Sequence, residues 1–120
     1  MRDAALFAAM PADANELFEK LVRRFSSDPA VTPPSGGKGF GASGLKVDGK
    51  IFAMVSRDGE LVVKLPGERV DELISSGTGT RFDPGHGRLM KEWVSVSPSH
   101  SRSWPTLAEE ARDFVSGGRR

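Results

Sequence analysis

The sequence contains no cysteine. This absence excludes disulfide frameworks, zinc sites built on thiolates and cysteine nucleophiles, and it is compatible with a reducing cytoplasm. Long hydrophobic runs are also missing, because no stretch approaches the ~18 apolar residues of a membrane span. The apolar segment 4–10 is at the lower length limit for a signal peptide, and Asp3 cancels the charge of Arg2, so we interpret it as an ordinary N-terminal segment. We therefore expect a cytoplasmic protein without a membrane partner.

An excess of charge of one sign is absent as well. The 17 Lys and Arg residues are nearly matched by 16 Asp and Glu residues, which leaves a formal net charge of +1. Dedicated nucleic-acid modules usually carry a clear basic excess, so this balance weakens that interpretation and leaves room only for a local basic patch. With 120 residues, of which 38% are apolar, the chain can bury a core without disulfides or metal. We expect one domain over residues 1–120, with 117–120 as a tail.

Three helices are indicated by apolar residues that recur at helical spacing. The first is predicted over residues 13–25, after an acidic start resembling a capping box, and a flexible linker over 29–39 follows it. The second is predicted over 68–75, with Gly77 as its stop. The third is predicted to begin near Thr106, whose hydroxyl would form a capping box with Glu109, and to end at Gly117.

Between these helices, Asp48-Gly49 and Asp58-Gly59 each fit a two-residue type I′ turn. Two such turns ten residues apart predict a three-stranded meander over 43–47, 50–57 and 60–65. A further strand is predicted over residues 93–96. The turns predict that these residues lie opposite one another: Val47 and Lys50, Leu45 and Phe52, Val55 and Val62, Ala53 and Lys64. Alternation along the strands then predicts a core face of Leu45, Val47, Phe52, Met54, Leu61, Val63 and Leu65. It predicts a second face of Lys46, Ile51, Ala53, Val55, Arg57, Val62 and Lys64.

Motifs that resemble catalytic or nucleotide-binding signatures are weak. Residues 39–44 match G-x-G-x-x-G, but a proline-rich segment precedes them and a strand follows, whereas a dinucleotide site needs a strand before the loop and a helix after it. Residues 44–50 fall one residue short of a P-loop, and Gly49-Lys50 belongs to a hairpin. The two histidines, His86 and His100, make a poor metal set, because a site needs three or four convergent donors. We therefore expect no enzyme, no metal and no cofactor.

The segment 38–116 carries a set of short motifs, which are, in chain order, Phe40-Gly41, Gly49-Lys50-Ile51-Phe52-Ala53, Leu61-Val62-Val63-Lys64, Gly77, Phe82-Asp83-Pro84, Trp93-Val94-Ser95-Val96 and residues 107–115. Through this ordered set the segment resembles the TfoX N-terminal domain family, which is related to MmcQ/YjbR-like small proteins. The resemblance implies an α+β fold in which N-terminal, middle and C-terminal helices pack on one antiparallel sheet, a two-layer architecture like that of secretion chaperones. It implies no established catalytic residues and only loose links to transcription regulation and DNA binding.

Two functional hypotheses follow. The first is a non-enzymatic interaction domain that binds a protein partner or a second copy of itself through the apolar part of the second face, where Ile51, Val55 and Val62 would be exposed. The second is weak nucleic-acid binding through a local basic strip. The candidate binding residues are Lys64, Lys46, Arg57 and Lys38. We single out Lys64, which we expect to lie beside Ala53, with Gly44 beyond it on the same face. Trp93 and Trp104 could stack on a base or a ligand, but an aromatic residue in a strand or beside a helix start more often belongs to the core, and we expect both to do so.

Overall fold

A computed structural model describes residues 12–34, 44–56, 59–82 and 91–117, and within them helices pack against one antiparallel sheet. The helices are α1 (Ala12–Arg24), α2 (Gly67–Ser75) and α3 (Trp104–Val115), and a 3₁₀ turn spans Pro98–Ser103. The strands are β1 (Val31–Thr32), β2 (Leu45–Val47), β3 (Lys50–Val55), β4 (Leu61–Lys64), β5 (Thr80–Arg81) and β6 (Trp93–Val96). The predicted α+β class is confirmed.

The strand order in the sheet is β1-β2-β3-β4-β6-β5, and every neighbouring pair is antiparallel. The predicted meander forms its centre. Both edge strands were missed, because Val31–Thr32 lies in the segment interpreted as a linker and Thr80–Arg81 in a glycine-rich stretch. Two residues are too few to show a period in sequence. Their strand conformation comes from pairing with a neighbour, as where the Asp48 N–H donates to the Ala30 carbonyl oxygen at 3.2 Å.

The first turn of the meander is the one that the sequence predicts. Asp48 and Gly49 have φ values of +54° and +83°, and Val47 lies opposite Lys50. Positive φ at both central residues defines the type I′ turn, and its twist matches that of the flanking strands.

The second turn differs from the prediction by one residue. Val55 lies opposite Leu61, not Val62, so three residues separate Ser56 from Glu60. The Ser56 N–H donates to the Glu60 carbonyl oxygen at 2.9 Å, and Gly59 has a φ of +80°. A left-handed glycine in third position is typical of three-residue hairpin loops. A one-residue change of register alters every predicted pair between β3 and β4, so the pairing of Ala53 with Lys64 is also wrong.

A β-bulge in β3 changes which side chains face the core. Leu45 lies opposite Ala53 and Lys46 lies opposite Ile51, so Phe52 has no partner in β2. Two residues opposite one is the signature of a bulge, which interrupts the alternation of side chains. Phe52 and Ala53 are both fully buried in the core.

Beyond the bulge the faces of β3 are reversed relative to the prediction. Val55 packs against the core, whereas Met54 lies opposite Val62 on the other side of the sheet. The predicted faces of Met54, Ala53 and Val55 are therefore wrong, and those of β2 and β4 are right. The pattern on β3 was misread because an inserted residue shifts the period by one without any marker in the sequence.

The core lies between the sheet and the three helices. Side chains from all three helices form one buried cluster with inward residues of the sheet. The members are Ala14, Phe18, Leu21, Phe25, Leu45, Val47, Phe52, Ala53, Leu61, Val63, Leu65, Val70, Leu73, Val94, Val96, Trp104, Leu107, Ala108 and Ala111. Trp104 serves the core as expected, and its indole N–H donates to the Ser97 carbonyl oxygen at 3.2 Å. None of the helices in the described ranges is long and apolar enough to cross a membrane.

Two helix ends show how well local signals work. Gly77, at φ +82°, ends α2 as predicted: its N–H donates to Ile74 O, and the Thr78 N–H donates to Leu73 O, which together form a Schellman cap. The start of α3 is two residues earlier than predicted, at Trp104. The preceding residue Ser103 makes no side-chain capping bond, so the capping box at Thr106 is wrong. The 3₁₀ turn leads directly into α3, so the helix begins as a continuation of this turn and not at a side-chain cap on Thr106.

Ion pairs join α3 to the elements on either side of it. Arg24 of α1 donates to Glu109 at 2.6 Å, and Arg69 of α2 donates to Glu110 at 2.9 Å. Arg112 makes two hydrogen bonds to Asp28, at 2.8 and 3.3 Å. These charges therefore serve to hold the helical layer together and are engaged in structural contacts.

Candidate binding surface on the outer sheet face

The side of the sheet opposite the helices, which we call the outer face, carries a row of partly exposed side chains. Strand pairing places Lys46 opposite Ile51 and Lys64 opposite Trp93. The Phe82 N–H donates to the Trp93 carbonyl oxygen at 3.2 Å, so Phe82 continues the line of β5 opposite Trp93. Residues directly opposite one another share a face. We call these five residues the outer row.

The outer row crosses the width of the sheet. Its members lie on β2, β3, β4, β6 and the continuation of β5. Four spacings of roughly 4.8 Å between neighbouring strands make the row about 19 Å long. Each of the five side chains is intermediate in exposure. Two are cations, two are aromatic and one is aliphatic. This arrangement offers positive charge and flat apolar surface side by side.

The neighbouring row on the same face is closed to solvent. Met54, Val62 and Ser95 lie opposite one another in turn and are only 7%, 0% and 8% exposed. The prediction that Val55 and Val62 form an exposed apolar patch with Ile51 is therefore wrong. Val55 packs on the core side, and Val62 is buried on the outer face. Val55 is also partly exposed, but on the core side, so of the three residues only Ile51 is partly exposed on the outer face.

Lys64 has neighbours different from those predicted. Its ammonium nitrogen lies 5.8 Å from the centre of the Trp93 ring, within the range of a cation–π contact. It also lies 4.0 Å from Oε1 of Glu92, and the side chains of this pair are 36% and 47% exposed. The predicted position beside Ala53, with Gly44 beyond it, is wrong, because Ala53 lies opposite Val63 and the prediction depended on the register that the bulge and the longer turn alter. An ion pair so long and so exposed contributes little, so a competing anion can displace Glu92 at small cost.

Of the four predicted binding residues, the structure brings two together. Lys46 and Lys64 lie on the same face, on strands separated only by β3. Lys38 and Arg57 lie outside the described residues. Sequence reasoning missed Phe82 and assigned Trp93 to the core. The alternation of Trp93 and Ser95 with the buried pair Val94 and Val96 is the signal that could have placed the indole on the outer face.

The motifs that were discounted remain without a site in the described residues. Lys50 begins β3, so Gly49-Lys50 belongs to a hairpin as predicted and does not open a helix. Residues 39–43 of the glycine motif lie outside the described ranges, as does His86. His100 is exposed in the 3₁₀ turn, as expected of a loop histidine. In the part of the chain that the structure describes, no three His, Cys, Asp or Glu side chains gather as a metal site requires.

Comparison with known proteins returns no family model, no curated protein and no solved structure that matches the chain. The resemblance to the TfoX N-terminal family therefore stays a prediction that depends on the short motifs alone. The outer row has to be interpreted from its own chemistry.

Proposed function

We propose that this chain is a non-enzymatic, cytoplasmic binding domain of the TfoX N-terminal type, and that it holds a negatively charged partner across the outer row. The observation that carries the proposal is the placement of Lys46 and Lys64 on one accessible face beside Trp93. Charge and flat apolar surface in one strip suit a partner that carries both anionic and apolar groups. No member of the outer row is a nucleophile beside a base, which favours binding over catalysis.

The distribution of charge supports the same surface. Three arginines of the helical layer, Arg24, Arg69 and Arg112, make short contacts with carboxylates. Among the carboxylates of the described residues, the one that Lys64 contacts belongs to Glu92, and this contact is long and exposed. A free anion gains more from a weakly paired cation than from one that already makes short hydrogen bonds to a carboxylate.

A second copy of the chain is a less favourable partner. In a two-fold symmetric dimer through the outer row, the same patch meets itself. The lysines of one copy would then approach those of the other, and like charges brought together across an interface cost free energy. An anionic partner of a different kind avoids this cost.

The experiment compares two charge reversals of equal size. Lys64→Glu changes the outer row, and Lys20→Glu changes an exposed lysine of α1 in the helical layer. Each lowers the net charge by the same amount. We expect Lys64→Glu to leave an immobilised polyanion such as heparin at clearly lower salt than Lys20→Glu does, while far-UV circular dichroism of both stays unchanged. Equal shifts for the two variants would mean that only net charge matters, and the proposed surface would be wrong.

A further inference from the structure

The two aromatic residues of the outer row are neighbours, and a lysine lies on the far side of one of them. The backbone hydrogen bond from Phe82 to Trp93 puts both on the outer face, and β4 brings Lys64 opposite Trp93 from the other direction. All three side chains are partly exposed. A sheet surface that combines aromatic rings with cations can stack flat rings and neutralise the negative charges that link them.

A single-stranded nucleic acid carries the two kinds of group that such a surface can bind. Its bases expose π-faces on which aromatic side chains stack, and its phosphates supply one negative charge per nucleotide. We propose that the outer row binds single-stranded nucleic acid, with bases stacked on Trp93 and Phe82 and phosphates held by Lys64 and Lys46. This inference rests on the proposed function and adds the class of the partner.

A duplex and an acidic polypeptide fit the row less well. In a duplex the bases are stacked on one another, so their faces are closed to Trp93 and Phe82, and only the phosphate contacts remain. An acidic polypeptide supplies carboxylates for Lys46 and Lys64 but has no series of planar rings at regular spacing. The near-neutral net charge of the chain adds little general attraction for either. Two lysines alone provide little electrostatic affinity, so stacking on the aromatic rings has to provide the rest.

The stacking contribution sets what should be seen in solution. Aromatic–base stacking tolerates any base, so the preference among sequences should be weak. If two phosphates are neutralised by the two lysines, log Kobs should fall with log salt with a slope of about −1.4. A much steeper slope would need more cations than the outer row contains.

The test measures binding of a fluorescently labelled oligothymidylate of about twelve nucleotides by anisotropy at ~50 mM salt. A duplex of the same length and a poly-glutamate peptide of similar charge are measured in parallel. The matched variants are Trp93→Leu, which keeps apolar bulk without a ring, and Trp93→Phe, which keeps a ring. We expect the single strand to bind most tightly, Trp93→Leu to weaken it about tenfold and Trp93→Phe to restore most of the affinity.

The outcomes separate this inference from the function on which it rests. If the duplex or the peptide binds as well as the single strand, and Trp93→Leu has no effect while Lys64→Glu abolishes binding, the nucleic-acid inference is overturned and the anionic-partner surface stands. If none of the three probes binds the folded wild-type protein, both fall. Because the comparison of the single strand with the duplex and the peptide uses the wild-type protein, it decides the matter even if Trp93→Leu fails to fold.

Discussion

Phe52 is the side chain whose removal tests the core most directly. It is fully buried, and its ring meets that of Phe25 edge to face, with centroids 5.3 Å apart and an interplanar angle of 75°. It is also the residue that the bulge turns inward. Phe52→Ala therefore empties a large site between the sheet and the chain segment just after α1. Ion pairs and core contacts of α1 and α3 limit how far these helices can move in to fill it.

The magnitude follows from the lost volume and the lost aromatic pair. Large-to-small replacement of a buried phenylalanine costs about 3–5 kcal/mol. An edge-to-face pair accounts for roughly 0.5–1.5 kcal/mol beyond its buried area. Since a domain of this size is stable by only about 5–15 kcal/mol, such a loss is a large fraction of the original free energy of unfolding.

The assay is urea unfolding followed by circular dichroism, with Ile51→Ala as the matched control. Ile51 precedes Phe52 on β3 but lies on the outer face with partial exposure, so its truncation should cost less than about 1.5 kcal/mol. A double-mutant cycle with Phe25→Ala should show a coupling of roughly 0.5–1.5 kcal/mol. If Phe52→Ala costs under about 1 kcal/mol, or less than Ile51→Ala, the assignment of the two faces is backwards.

Three further changes test the turn, an ion pair and a close backbone approach. Asp48→Val should lower the free energy of unfolding in urea by about 1–2 kcal/mol, because a β-branched residue resists a φ of +54°; a loss no larger than that of Asp48→Asn would argue against a strained turn. Hydrogen bonds from Arg112 hold the pKa of Asp28 below its ordinary value of 3.8, so the stabilisation is present above that pH and is lost as the pH falls through the lower folded-state pKa. Between about pH 5 and pH 2, the free energy of unfolding should therefore fall less for Asp28→Asn than for wild type. Identical dependence on pH for the two proteins would show that the ion pair does not lower the pKa of Asp28. Gly79→Ala should cost about 1–3 kcal/mol, since a Cβ there would lie 2.9 Å from the Ser95 carbonyl oxygen, and an unchanged thermal midpoint would contradict that crowding.

Much of the fold could be predicted because its signals are local. The apolar stripes of α1 and α2 recur within a few residues of one another, and Gly77 marks the end of α2 by a conformation that other residues avoid. The first turn was equally readable, because Asp48 and Gly49 tolerate the positive φ that a type I′ turn requires. In each case the residues that decide the structure are also neighbours in the sequence.

The candidate site was predicted only in part. The sequence indicated that Lys46 and Lys64 share a face, because the alternation in β2 and β4 is regular. The alternation around Trp93 could have placed its indole on the outer face, but it could not place Trp93 beside Lys64 or Phe82 beside Trp93, since these segments lie far apart in the chain. Whether distant strands pair, and in which register, depends on packing of the whole sheet.

Periodicity and turn chemistry within short windows were enough to predict the helices, the central meander and the α+β class. The bulge at Phe52, the edge strands and the order in which β6 and β5 follow β4 could be seen only in the folded sheet. Those features depend on backbone hydrogen bonds between segments far apart in the chain, and such bonds involve groups that every residue carries and so leave little trace in side-chain patterns. The same bonds gather Lys64, Trp93 and Phe82 into the outer row.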